Sequence, residues 1–351
     1  YNSFYLFAEK TMEPIIKAID VQYCTLQCPD LDIQEQFLIH FGMHTVEKKE
    51  DILIMRGEGP KPFIEICKKG ERKFLGAAFL AASMEDLEKI SKTDPFSEIE
   101  TLSTPGGGFI SKGTDPDGIN VEVVFGIDDR SDFKEINPFP SNEGTNSNRV
   151  NELKRYQKGQ YPRILRFAHY GINVTDVAAS LDWYNKYLGI IPSDKLWVGE
   201  PNNPETPLNG IFARLDKGKI PADHHSIFFL NAHMISQGKS GLNHVSFEML
   251  SIDDVFSGHE ILQKTKEEFD YELEWGVGRH YQGSQVFDYW RNPFKQTHEH
   301  QTDGDVLDNS VPHNDLDLTK GEGGGLPEDG PGASQWGPSI NFATFGDERG
   351  L

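Results

Sequence analysis

The chain has 351 residues, 37% of them hydrophobic and 11% aromatic, enough for two packed domains. Its net charge of −21 argues against binding nucleic acid through phosphates and against attraction to anionic membranes, and leaves solubility as the ordinary reading of such acidity. No apolar run reaches the roughly 18 residues of a membrane span.

The opening, YNSFYLFAEK, lacks the basic region and long apolar stretch of a signal peptide. It also lacks an initiator Met, as expected of a trimmed chain. Cys24, Cys28 and Cys67 are an odd, sparse set with no second pair to complete a metal site. They read as small buried residues in a reducing, cytoplasmic compartment.

After a segment over 1–17, the chain reads as a duplication, 18–128 and 161–303, separated by a polar linker over 129–160. VQYCTLQCPDLDIQEQFLIHFGM, from Val21, and FAHYGINVTDVAASLDWYNKYLGI, from Phe167, each give a strand, an N-cap Asp (Asp30 or Asp176) and an amphipathic helix ending in Gly. KFLGAAFLAASMEDL matches GLNHVSFEMLSIDDV, a strand followed by a helix with acidic residues at its start. TDPDGINVEVVFG matches RNPFKQTHEHQTDG, a Pro-containing turn before a strand. The expected fold is therefore α+β: two tandem modules, each of two βαβββ repeats forming a curved mixed sheet around a cavity. Residues 304–351 are rich in Gly, Pro and acid, and are expected to form an irregular tail anchored by Trp336 and covering the active site. Their Gly cluster lacks the Gly-Lys-Ser/Thr ending of a phosphate loop.

Aligning the halves sets Tyr23 opposite His169, Gly76 opposite His244 and Glu122 opposite Glu299. Only the second set suits a metal. Two imidazoles and one carboxylate on three strands make a facial triad with open positions, as non-haem Fe(II) oxygenases use. Side chains alternate along a strand, so His298 and His300 are expected to point away from the face that carries Glu299.

RFAHYGINVTD, GLNHVSFEM, ADHHSIFFL, WGVGRHYQGSQVFDYWRNP and NPFKQTHEH resemble segments of the type I extradiol ring-cleaving dioxygenases of the vicinal oxygen chelate superfamily. The resemblance runs from about residue 18 to 303 and strengthens from Phe167 onward. It implies His169, His244 and Glu299 as ligands of Fe(II), or Mn(II), with O2 as co-substrate and a catechol-type aromatic as substrate. It implies His225 as the acid–base residue, with His280 and Tyr289 in the pocket. His224 is expected to face the other side of its strand. The product would be a muconic semialdehyde, and the chain a homo-oligomer, dimeric or tetrameric. One departure from the family pattern is Asn292, with Phe294 and Lys295, where the family has Asp and Asp-Gly; this puts the turn in question more than the ligand.

Two alternatives stand beside this reading. A glyoxalase-like isomerase or lyase usually draws four ligands from two modules. A small-molecule binding protein has no reason to keep the three ligands together. Arg279 and Arg291 are candidates for a substrate carboxylate, although an arginine on a strand is ordinarily a surface residue. Asn173-Val174-Thr175 matches a glycosylation site but adjoins a ligand strand.

Overall fold

The computed structural model describes residues 13–155, 162–324 and 334–340. The outer parts of the N-terminal segment and tail, and the end of the linker, lie outside the described residues. The first half runs β1 (Asp20–Cys28), α1 (Leu31–Phe41), β2 (His44–Lys48), β3 (Ile52–Arg56), β4 (Glu65–Lys69), β5 (Lys73–Leu80), α2 (Met84–Ser91), β6 (Glu100–Thr101), β7 (Phe109–Thr114) and β8 (Asn120–Phe125). The second half runs β9 (Ile164–Val174), α3 (Val177–Leu188), β10 (Ile190–Trp197), β11 (Leu208–Leu215), β12 (Ala222–Asp223), β13 (Ile227–Asn231), α4 (Ala232–Ile235), β14 (Gly241–Met249), α5 (Ile252–Phe269), β15 (Glu272–His280), β16 (Val286–Arg291) and β17 (Thr297–Thr302). Beyond it come β18 (Val306–Leu307), β19 (Asn314–Asp317) and β20 (Ser334–Trp336).

The first sheet has the order β2-β3-β4-β1-β5-β8-β7-β6. The second repeats that order as β10-β11-β13-β9-β14-β17-β16-β15 and adds β19 at one edge and β20 at the other. This is an α+β architecture of two curved mixed sheets. Between the halves, residues 126–155 run without strands or helices apart from an isolated bridge between Glu143 and Asn146.

Local chemistry explains the repeat. Asp30 caps α1 by accepting from the backbone of Asp32 and Ile33, and Asp176 caps α3 by accepting from Ala179. Both helices stop at a left-handed glycine, Gly42 (φ 115°) and Gly189 (φ 69°). The helix-bearing faces of both sheets meet in one hydrophobic core, where Phe37 and Phe41 of α1 join Phe247 of β14, and Phe79 of β5 meets Tyr184 of α3. Cys24, Cys28 and Cys67 are buried free thiols.

The tail differs from its expectation. β19 pairs in parallel with β10, and β20 pairs antiparallel with β15. An edge strand needs only its backbone groups to join a sheet, so a stretch poor in apolar side chains can still be ordered there. Trp336 remains half exposed, beneath the Arg279 guanidinium, while Ile340 packs with Trp275, Phe287 and Tyr289. Among the described residues, no helix is long and apolar enough to cross a membrane.

Candidate metal centre

Strand register builds the site. Ser246 of β14 pairs with His169 of β9 on one side and with Glu299 of β17 on the other. In the first half Ala78 pairs in the same way with Tyr23 and Glu122. Two residues before each lie His244 and Gly76, so the alignment made from sequence is also the register of the sheets. Directly paired residues project from the same face, which brings His169, His244 and Glu299 to one concave surface.

The ligand atoms of His169, His244 and Glu299 all lie within 4.8 Å of one another, and all three residues are buried. Glu299 Oε2 is 3.0 Å from His169 Nε2 and 3.7 Å from His244 Nε2. Although fully buried, it accepts no hydrogen bond of normal geometry. A buried carboxylate oxygen left in this state, facing two imidazole nitrogens, is the donor set that a divalent metal satisfies.

Neighbours hold the ligands in place. His244 Nδ1 lies 2.7 Å from Asn243 Oδ1, which turns Nε2 toward Glu299. Gly171, paired with His244, has no side chain because a Cβ there would come 2.8 Å from the His244 ring. Burial would raise the Glu299 carboxyl, but His169, His280 and His244 around it outweigh that and hold it well below the usual range. Burial pushes His244 down to about 3, and burial together with the nearby His169 pushes His225 well below its ordinary value.

The remaining candidates flank the ligands. His225 lies on the His169 side, with ring centroids 4.2 Å apart. On the other side the Tyr289 ring meets His244 edge-on at 5.3 Å. His280 Nε2 is 2.9 Å from the Tyr289 hydroxyl and 3.4 Å from Glu299 Oε1. Burial and the Glu299 charge push the Tyr289 phenol well above its usual value.

His298 and His300 face the first half. His298 Nε2 lies 3.3 Å from the buried Glu65 carboxylate. His300 Nε2 lies 2.7 Å from the Phe41 carbonyl, and its ring stacks on Phe41 at 3.7 Å. The expectation for His224 is corrected. Residues 224 and 225 sit in a bend between β12 and β13, where strand alternation does not apply. The two Nδ1 atoms therefore lie 3.2 Å apart, with both rings buried.

Arg279 pairs with Asp303 near the surface, whereas Arg291 is buried against Glu274 at 2.6 Å. Asn173 is fully buried. The altered turn keeps its form: Asn292 Oδ1 accepts from the backbone of Phe294 and Gln296, as Asp115 Oδ1 does from Asp117 and Ile119.

Residues 166–295, which carry His169 and His244 and stop short of Glu299, match the model of the Glyoxalase/Bleomycin resistance protein/Dioxygenase superfamily. Over 296 residues the chain is 24% identical to metapyrocatechase 2 of Cupriavidus necator, covering 82% of each protein. Its fold is similar to that of a Mn(II)-bound glyoxalase from Novosphingobium aromaticivorans, at TM-score 0.68 and 20% identity over 92% of this chain and 91% of that one. It is also similar to an extradiol ring-cleaving dioxygenase from B. fuscum, at TM-score 0.65 and 18% identity over 88% of this chain and 78% of that one.

Proposed function

We propose that the chain is an extradiol dioxygenase that opens a catechol-type ring with O2. The observation that carries this reading is the His169–His244–Glu299 cluster, flanked by His225 on one side and by His280 and Tyr289 on the other. In this reading 161–303 is the working module, 18–128 a module without metal, and the assembly a cytoplasmic homo-oligomer. Fe(II) is the proposed metal, with Mn(II) as the alternative, because two imidazoles and a carboxylate suit both. Held by His169, His244 and Glu299, the metal would supply a Lewis acid that lowers the catechol hydroxyl pKa and a centre for O2 chemistry.

The protein supplies the rest. His280 and Tyr289, 2.9 Å apart beside Glu299, form the pair that takes the catechol proton. His225, on the His169 flank, holds and returns a proton on the oxygen side, a role that suits an imidazole near neutrality. The sheet on one side and the Trp275–Phe287–Tyr289–Ile340 cluster on the other keep water from the reacting groups.

The glyoxalase-like alternative has the fold likeness in its favour. Against it, the aligned positions of the first half offer no further ligand: Tyr23 donates to Glu122 at 2.8 Å, and Gly76 has no side chain. The test is to supply purified protein with Fe(II), air and a panel of catechols. A yellow ring-opened product is expected. His225→Ala should slow turnover by about 10²- to 10⁴-fold while metal content stays constant. Isomerisation of a hemithioacetal without cleavage of any catechol would overturn the reading, and normal turnover in the variant would remove His225 from it.

A further inference from the structure

The bend that carries His224 and His225 is held from several directions. The His224 N–H donates to the Asp305 carbonyl at 2.9 Å, and its own carbonyl accepts from Ser193 Oγ at 2.6 Å. Its ring Nε2 lies 3.0 Å from Asp194 Oδ2, and its Nδ1 lies 3.2 Å from His225 Nδ1. Asp194 is in turn fixed by Asn314 of β19, whose amide donates to Oδ1 at 2.8 Å. Ser193 and Asp194 serve the same bend because the register of β10 with β11 shifts between Pro192 and Asp194. All four of Ser193, Asp194, His224 and His225 are buried.

Hydrogen counting along this chain has one solution for neutral rings. A carboxylate only accepts, so His224 carries its hydrogen on Nε2. Its Nδ1 is then an acceptor. Two bare nitrogens do not face each other at 3.2 Å, so His225 must carry its hydrogen on Nδ1. That leaves Nε2, across the ring, as the bare nitrogen of a side chain packed against His169.

We propose that Asp194 and His224 are positioning residues, forming an Asp194–His224–His225 relay that fixes the tautomer and orientation of His225 beside the metal centre. A proton arriving at His225 bonds to the Nε2 lone pair. The Nδ1–H stays on His225 and donates to His224, whose Nε2–H faces the Asp194 charge, so no other proton changes place. The chemical role deepens the dioxygenase reading and rests on it; the tautomer does not. The tail takes part through Asn314, which ties β19 to the relay.

The test is nuclear magnetic resonance of 15N-histidine-labelled protein, as purified and with Zn(II) added, which reads the tautomer of each ring. His225 is expected as the Nδ1–H form. Asp194→Asn presents an amide donor to His224 Nε2, which inverts the chain and turns His225 into the Nε2–H form. His224→Phe keeps a ring of similar size but removes the acceptor, so both tautomers of His225 should appear. An Nε2–H form in the wild type would overturn the relay, as would an unchanged His225 in either folded variant. In turnover, Asp194→Asn should lower kcat about 10²-fold with catechol KM and metal content unchanged. Unchanged kcat, or loss of metal in proportion to activity, would remove the positioning role. A wild type that cleaves no catechol would overturn the dioxygenase reading, and the tautomer measurement would still decide the relay.

Discussion

The two halves carry the same eight strands in the same order, yet their concave faces hold different contents. In the first, Tyr23 donates to Glu122 and packs at a tilt against Phe63, and Ile54, Ile66, Ala78, Ile110 and Val124 fill the surrounding space. A Cβ at Gly76 would come 2.1 Å from the Asn120 carbonyl, so no ligand can stand at that position without moving backbone. In the second, the matching positions present His169, His244 and Glu299, and the glycine that makes room is Gly171, beside His244. The scaffold fixes where three side chains converge. A self-satisfying donor–acceptor pair closes one face, whereas two imidazoles and a carboxylate make the other a candidate cation site.

The largest effect that tests this contrast is expected from Glu299→Ala. It should reduce bound metal to background and abolish turnover, read by elemental analysis and the colour assay; retained metal would break the comparison. Gly171→Ala should be next. The new methyl presses on the His244 ring and should lower metal affinity by about 10- to 100-fold, measured by competition with a chelating dye. Tyr23→Phe sharpens the other side. It leaves the Glu122 carboxylate without its donor and should lower unfolding stability by about 1 kcal/mol in denaturant titration. Metal content and turnover should not change.

The smallest effect concerns pH. Burial pushes the Asp115 carboxyl up from 3.8 to about 6, partly offset by the Ile119 and Asp117 N–H groups. Between those values the folded chain keeps a proton that the unfolded chain releases. This contribution is complete below the lower value and lost as pH rises through the upper one. Asp115→Asn has no such proton, so its unfolding stability should depend less on pH across that window. An identical pH profile would show that Asp115 does not titrate there.

Much of this was readable because helix caps act as rulers. Tyr23 and His169 each stand seven residues before an N-cap Asp, so a local signal aligned residues that matter only in three dimensions. Glu299 could be separated from His298 and His300 because a paired strand alternates strictly. The same rule misplaced His224, because the chain bends at that point and leaves the ladder. Nothing in the local pattern of Asp194 or Asn314 points to a histidine 30 or more residues away. The composition of the tail hides its strands, because edge strands join a sheet through backbone. At the altered turn, Lys295 takes a left-handed φ of 65° where the first half has Gly118, and Asn292 keeps the two backbone bonds that the Asp would have made. A glycine inside a strand beside a ligand histidine was a signal available for Gly171.

Those two turns are exchanged between the halves. Asp117 of the first accepts from Thr175, and Asp115 accepts from Tyr184, both in the second half. Asn292 of the second donates to Gln34, and Gln296 donates to the carbonyls of Gln27 and Lys73, all in the first half. Each copy thus completes the other's interior. Neither half could be removed without baring buried polar groups of the other. Mutual dependence of this kind means that a change at either turn is felt across the seam, in the half that does not carry it.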